Sequence, residues 1–251
     1  KDIIDQENTR IVIGDMASHN FLNILPTFDF IIHAAGYGQP GKFMDDRIKT
    51  IRLNTAVTLD LFEHLVPGGK FLFLSTSEVY SGLDRLPYKE AEIGTTNTNH
   101  SRSCYIESKR TGEAICNAYR NKGVDAKSVR VSLVYGPGTK IGDMRVMNNF
   151  IFKAINNGKL ELMDKGEAKR TYCYVVDAVE MMWQVLLNGK EDIYNIGGFS
   201  KTTIGELAQK IGKYLDVPVV FPEDSKPMAG APEDVSLDMT KIEVEFNKKD
   251  Y

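Results

Sequence analysis

What most constrains this chain is the order in which its apolar runs arrive. RIVIGD (10–15), FDFIIHAA (28–35), KFLFLS (70–75) and VRVSLV (129–134) are short and apolar, with helical patterns between the later ones. Such runs read as strands buried on both faces. Strands that alternate with helices build a parallel sheet, because each crossover must return the chain to the same end. Between 45 and 65, Ile48, Ile51, Leu53, Val57, Leu61 and Leu65 recur at helical spacing, and Pro67-Gly68-Gly69 should stop that helix. A second helix is predicted over 104–121, and YGPG (135–138) reads as a turn. The fold class is α/β.

After Gly138 the character changes. A helix carrying Met147, Phe150, Phe152 and Ile155 leads through NNGK to a short strand, LELM. RTYCYVV, a helix over 177–187 and DIYNIGG come next. Thr202 or Thr203 then caps IGELAQKIGKYL, followed by strand VPVVF, a Pro-rich loop (222–232) and a helix from Asp238 to the chain end. The expected division is a main domain over 1–138, with 170–198 returning to it. A smaller α/β lobe is expected from 139–169 and 199–251.

Composition removes several functions. The 251 residues carry a net charge of −3 and no Lys/Arg block, which argues against a nucleic-acid surface. No apolar run approaches the ~18 residues that span a membrane. Cys104, Cys116 and Cys173 are odd in number and lack metal-ligand spacing, and the four histidines are scattered. Reduced thiols, a cytoplasmic setting and no metal are the expectation.

GYGQPG (36–41) spells G-x-G-x-x-G after an apolar run. The dinucleotide fingerprint also needs a helix opening on its last glycine and an acid about 20 residues on. Here the helix is expected to begin late, near Asp45, and the next strand ends in Ser75, Thr76 and Ser77 without an acid. Tyr105 and Lys109 in CYIESK are more informative. At i and i+4 they share a helix face, and an ammonium beside a phenol lowers its pKa towards working pH. Eleven tyrosines make a lone Y-x-x-x-K unremarkable. STSEVY (75–80) at the carboxyl end of the preceding strand makes it rarer, since ligands of open parallel sheets sit at such ends.

Together with GDM (14–16), IIHAAG (31–36), Asn54 in RLNTAVTLDLFE, VRVSLVYGPG (129–138), KRTYCYVVDA (169–178) and YNIGG (194–198), these pieces resemble the extended short-chain dehydrogenases acting on nucleotide sugars. STSEVY and RSCYIESKR look most like the UDP-glucuronate decarboxylases, with dTDP-glucose 4,6-dehydratases and sugar-nucleotide epimerases next. The resemblance implies a Rossmann-like doubly wound parallel sheet, bound NAD, a nucleotide-sugar substrate and a 4-keto intermediate. It also implies that GYGQPG is not the phosphate loop. The first βαβ unit with its Gly-rich turn is then missing from the chain, and roughly 50 to 80 further residues are expected before Lys1.

Carried over by resemblance, Asp15 and Met16 flank the adenine, and Ala34, Ala35 and Gly36 touch NAD. Asn54 and Ser75 contact the cofactor or brace its loop, and Ser132 joins the cofactor set. Thr76 bonds the sugar oxygen and Tyr105 is the base. Lys109 holds the nicotinamide ribose and depresses the Tyr105 pKa, and Glu78 serves the later step. Ser77 and Arg102 face the substrate, and Arg170 grips its diphosphate. Three positions depart from the family pattern: Leu133 stands where relatives often have Asn, only Lys226 lies near the second proline of KPMAGAPEDV, and Ser77 replaces the Asp of dehydratases. A sugar-nucleotide-binding regulatory relative is the non-enzyme alternative. A homodimer is expected through a four-helix interface of 45–65 and 104–121, where Leu59 with Phe62 and Ile106 with Ile115 extend beyond one apolar stripe.

Overall fold

A computed structural model describes residues 8–140, 142–223 and 234–248. The expected parallel sheet is present. β1 (Phe28–His33), β2 (Leu65–Thr76) and β3 (Asp125–Val131) lie side by side, and Ile193–Ile196 completes the order beyond β3. Every pairing in this sheet is parallel. Alternate residues of β2 serve opposite faces, as the strand's period of two requires. Phe71 and Phe73 enter a core with Leu53, Val57, Leu61, Phe62 and Cys116. Leu72 enters the other, with Val129, Met181, Val185, Tyr194, Leu237 and Ile242.

The helices of the first layer differ from the continuous one expected. α1 (His19–Leu22) is a single turn, and α2 (Pro40–Asp45) opens with proline in its first turn, inside the GYGQPG region and ahead of Asp45. α3 (Arg47–Asn54) and α4 (Ala56–Glu63) are separated at Thr55. Thr50, Thr55 and Thr58 each donate to the carbonyl four residues back, at 2.8 Å. Hydroxyls that back-bond in this way compete with the helix ladder and bend it. Pro67-Gly68-Gly69 lies past the helix end at Glu63, but inside β2. It is absorbed by a register slip, with Phe28 opposite Leu65 and Phe30 opposite Lys70, and Gly68 takes φ +80°. Residues 10–15 form no strand; Ile13 is 93% exposed. A strand persists through ladder hydrogen bonds, and none of the described strands lies beside this segment.

α5 (Ser103–Arg120) packs on β2 and β3 and carries the Tyr105–Lys109 pair. Its close approach depends on Gly112, where a Cβ would sit 2.2 Å from the Phe73 ring. Beyond β4 (Val134–Tyr135), α6 (Val146–Asn157) and β5 (Leu160–Glu161) begin the smaller lobe. β6 (Lys169–Arg170), β7 (Cys173–Tyr174) and α7 (Val175–Asn188) lead back to β8 (Ile193–Ile196). β9 (Thr202–Thr203), α8 (Ile204–Leu215) and β10 (Val219–Val220) return to the lobe. Phe150, Ala154, Leu160, Leu162, Leu207 and Ala208 form its separate core. Thr203 caps α8 in a reciprocal box with Glu206. α9 (Thr240–Phe246) starts just after Asp238 and ends at Asn247 in the left-handed region, short of the chain end. The Lys226 departure lies outside the described residues.

Candidate active site

Three consecutive residues at the tip of β2 meet three residues of one α5 face. Leu74 offers its carbonyl to the Lys109 Nζ at 2.6 Å. Ser75 Oγ donates to Glu113 Oε1 at 2.5 Å. Thr76 shares a side-chain hydrogen bond with Tyr105. Tyr105, Lys109 and Glu113 succeed one another at i+4, so a single helix face presents phenol, ammonium and carboxylate. All three are at least nine-tenths buried.

Burial sets the charge states here. The Tyr105 phenol is pushed up to about 12, first by desolvation and then by the Glu78 carboxylate; the Thr76 bond, Arg102 and Arg145 act the other way. Lys109 is pulled down to about 7 by desolvation, which Glu113 opposes. Lys109 was expected to depress Tyr105, and it does not. Its ammonium is 5.9 Å from the phenol ring centroid and is committed to the Leu74 carbonyl. The Tyr105 ring stacks flat on Phe43 of α2, with centroids 4.5 Å apart and planes at 1°.

Glu78 sits on a short 3-10 turn, Ser77–Tyr80, capped by the Thr76 hydroxyl. Its Oε1 pairs with Arg102 Nη2, while Glu78 Oε2 and Arg102 Nε are buried without a partner. Desolvation raises the Glu78 pKa against the pull of Arg102. These two residues, expected to act separately, therefore form one ion pair beside Tyr105. Ser77 is half-buried on the same turn.

The cofactor candidates converge only in part. At Gly36, a Cβ would lie 2.9 Å from Asn54 Oδ1 and 3.2 Å from Lys109 Nζ, so only glycine leaves that space free. Asn54 donates to Ser108 Oγ (3.0 Å) and the Thr50 carbonyl (3.1 Å), leaving Oδ1 buried and unpaired. Ala34 is exposed and Ala35 half-buried on the approach from β1. Ser132 Oγ, just past β3, is also buried without a partner. Ser75 faces the interior and braces the helix. Asp15 is tied to Lys49 of α3 at 2.8 Å, and Met16 packs against the α3–α5 core. Arg170 stands on two-residue β6, paired with β9, its Nη1 donating to the Lys169 carbonyl at 2.6 Å. The space at Gly36 and the unpaired acceptor of Asn54 fit a nicotinamide ribose.

Sequence reasoning missed Phe43, Arg145 and Glu113. Glu113 was within reach, since it continues the Tyr105–Lys109 spacing by one more turn. Phe43 lay in a stretch weighed only for its glycines. Arg145, held by Asp143 at 2.6 Å, carried no local signal.

A helix-borne Tyr–Lys pair beside a hydroxyl at a parallel-strand tip defines a dinucleotide-dependent dehydrogenase class of fold. Residues 3–197 match the model of the NAD dependent epimerase/dehydratase family, and the chain belongs to it. UDP-glucuronic acid decarboxylase 1 of Arabidopsis thaliana is 32% identical over 226 residues, covering 89% of this chain and 52% of that protein. Its Xenopus tropicalis namesake is 30% identical over 210 residues, covering 83% and 49%. The chain thus spans about half the length of the curated relatives it matches. The dTDP-glucose 4,6-dehydratase of Streptomyces venezuelae, solved with NAD bound, superposes with a TM-score of 0.84 at 25% identity, covering 100% of this chain and 77% of that one. An epimerase of Methanothermobacter thermautotrophicus shares the fold, with a TM-score of 0.84 at 21% identity.

Proposed function

We propose that the protein oxidises a nucleotide sugar at C4 with NAD and carries the resulting 4-keto sugar onward by decarboxylation of a UDP-glucuronate. The observation that carries this reading is the buried Thr76–Tyr105–Lys109 set, because a binding protein has no need of all three. Thr76 aligns the sugar 4-hydroxyl and Tyr105 takes its proton as C4 loses hydride. NAD, when bound, supplies the hydride acceptor. Gly36, Asn54 and Lys109 would hold its nicotinamide ribose, and Asp15 with Met16 its adenine end. A phenol near 12 stays protonated at neutral pH, so the cationic surroundings of the loaded site have to lower its pKa before it can accept the proton.

The later step falls to Glu78 and Arg102. A 4-ketone next to a C5 carboxylate lets carbon dioxide leave, with the electron pair passing into an enolate that is then protonated at C5; return of the hydride to C4 would then give a UDP-pentose with no net redox change. A buried carboxyl with a raised pKa suits the return of that proton. Ser77, where dehydratases place Asp, favours decarboxylation over elimination of water. Epimerisation, by reduction on the other sugar face, is the second reading. The test is incubation with UDP-glucuronate and NAD: carbon dioxide and a UDP-pentose support the first reading, and a UDP-hexuronate epimer the second. Neither product, nor any NADH absorbance, would remove both.

Arg170 suits a diphosphate through its planar fork. A homodimer through the α3/α4 and α5 surface rests on Ile48, Ile51 and Leu59, which are exposed. Phe62 and Ile106, expected there, are buried in their own chain, and Ile115 is half-buried. No described helix is long and apolar enough to cross a membrane. Light scattering at micromolar concentration decides the dimer.

A further inference from the structure

We propose that Glu113 is a positioning residue, whose carboxylate sets the register of α5 on the tip of β2 and keeps a fixed negative charge one turn behind the Lys109 ammonium. The proposal rests on the reading of Tyr105 and Lys109 as the acid/base pair. The Glu113 carboxylate is bonded to Ser75 of β2 and Arg130 of β3.

Two strands meet at this carboxylate. Ser75 of β2 donates to Oε1 at 2.5 Å. Arg130 of β3 grips both oxygens, Nε to Oε1 at 3.0 Å and Nη2 to Oε2 at 2.8 Å. The same guanidinium donates to the carbonyls of Glu90 (3.1 Å) and Glu92 (2.9 Å) and lies over the Tyr80 ring at 4.7 Å. Arg130 and Glu113 side chains are 3% and 7% exposed, so the planar pair is shielded from screening. Leu74, Ser75 and Thr76 take Lys109, Glu113 and Tyr105 respectively. A slip of one strand residue would turn the Ser75 side chain to the opposite face of the sheet, away from Glu113. The central one of the three contacts, Ser75–Glu113, is the one that is locked from behind.

The charges facing Lys109 are few. His33 of β1 is held neutral by burial, at about 4. Tyr105 and Glu113 come from α5, and Arg130 of β3 acts through Glu113. Lys109 was drawn to about 7 by burial, and Glu113 is what resists that pull. Removing the Glu113 charge while keeping its shape should therefore leave Lys109 less able to stay an ammonium.

The test reads Lys109 directly, by lysine 13Cε NMR titration of the protein without substrate, with the resonance assigned through Lys109→Arg. Glu113→Gln should move the titration midpoint down by about one pH unit. Glu113→Asp and Arg130→Lys, which keep the charges but disturb the packing, should leave it in place. If Glu113→Gln does not fold, the double variant Glu113→Gln/Arg130→Met removes both charges together, and a downward shift is again expected, smaller because the Arg130 repulsion is lost with the Glu113 attraction. An unchanged midpoint in the folded neutral variant overturns the proposal. So does an equal shift in Glu113→Asp, which would make packing alone the cause. The titration needs no turnover, so a failure of the nucleotide-sugar reading would appear in the product assay and leave this result intact.

Discussion

The tip of β2 and the strand carrying Arg170 hold the two ends of the proposed site, and they are built in opposite ways. At the tip, long elements in register bury Thr76, Tyr105 and Lys109, and side chains there have partners before any ligand arrives: Lys109 on Leu74, Ser75 on Glu113, Glu78 on Arg102. Arg170 sits on a two-residue strand, half-buried, with its neighbour's carbonyl as hydrogen-bond partner. Groups that move protons need fixed distances and a dry setting, which a packed helix–strand contact supplies. A group that grips a diphosphate can be ordered by the ligand itself. Burial thus shifts the Tyr105 and Lys109 pKa values strongly, and substrate grip is left to a freer side chain.

The contrast can be broken most forcefully at the tip. Tyr105→Phe keeps the ring on Phe43 but removes the proton acceptor. The first hydride transfer, followed by NADH absorbance, should fall by ~10²–10⁴ with cofactor binding preserved. A near wild-type rate would disqualify Tyr105 as the base. Arg130→Met strands the Glu113 carboxylate in the interior and should cost about 3–5 kcal/mol of stability by denaturant unfolding. A loss near zero would mean that water reaches the pair.

His33 probes the same region through pH. Its Nε2 lies 2.9 Å from the Leu53 carbonyl, and burial depresses its pKa from 6.5 to about 4. The unfolded chain therefore binds the extra proton between those values, and the folded protein does not. Stability from this residue is complete above pH 6.5 and is lost as pH falls to 4, by roughly 3 kcal/mol in total. His33→Leu should lose correspondingly less than wild type over that window; parallel curves would refute the assignment. The smallest structural effect belongs to β6. Arg170→Gln should change stability by no more than about 0.5 kcal/mol, yet weaken nucleotide-sugar binding about tenfold in a calorimetric titration. A large loss of stability would show that Arg170 is part of the scaffold after all.

Much of the frame was legible because it rests on local pattern. Continuous apolar runs located β1, β2 and β3, and Thr202 or Thr203 announced the start of α8. Tyr105 and Lys109 were legible for the same reason, as i and i+4 on a helix whose ends were clear. The break at Thr55 was hidden, because hydroxyl back-bonding leaves the apolar spacing of 45–65 intact. RIVIGD looked like a strand by composition, but composition cannot provide a neighbouring edge. The glycines of GYGQPG suggested a phosphate loop, whereas the residues that count there are Gly36, which leaves room beside Asn54 and Lys109, and Phe43, which stacks on the catalytic ring.

By itself, then, the sequence determined the parallel α/β frame and the helix face that carries the chemistry, since periodicity and capping act over a few residues. Only the tertiary structure decided the charge state of that chemistry. Desolvation depends on what packs around a group from every direction, so the rise of Tyr105 and the fall of Lys109 come from Phe43, Phe73 and the strand tip together. The pairing of Glu78 with Arg102 and of Glu113 with Arg130 was decided there too, because 24 and 17 residues of chain separate the partners and only the fold closes those distances.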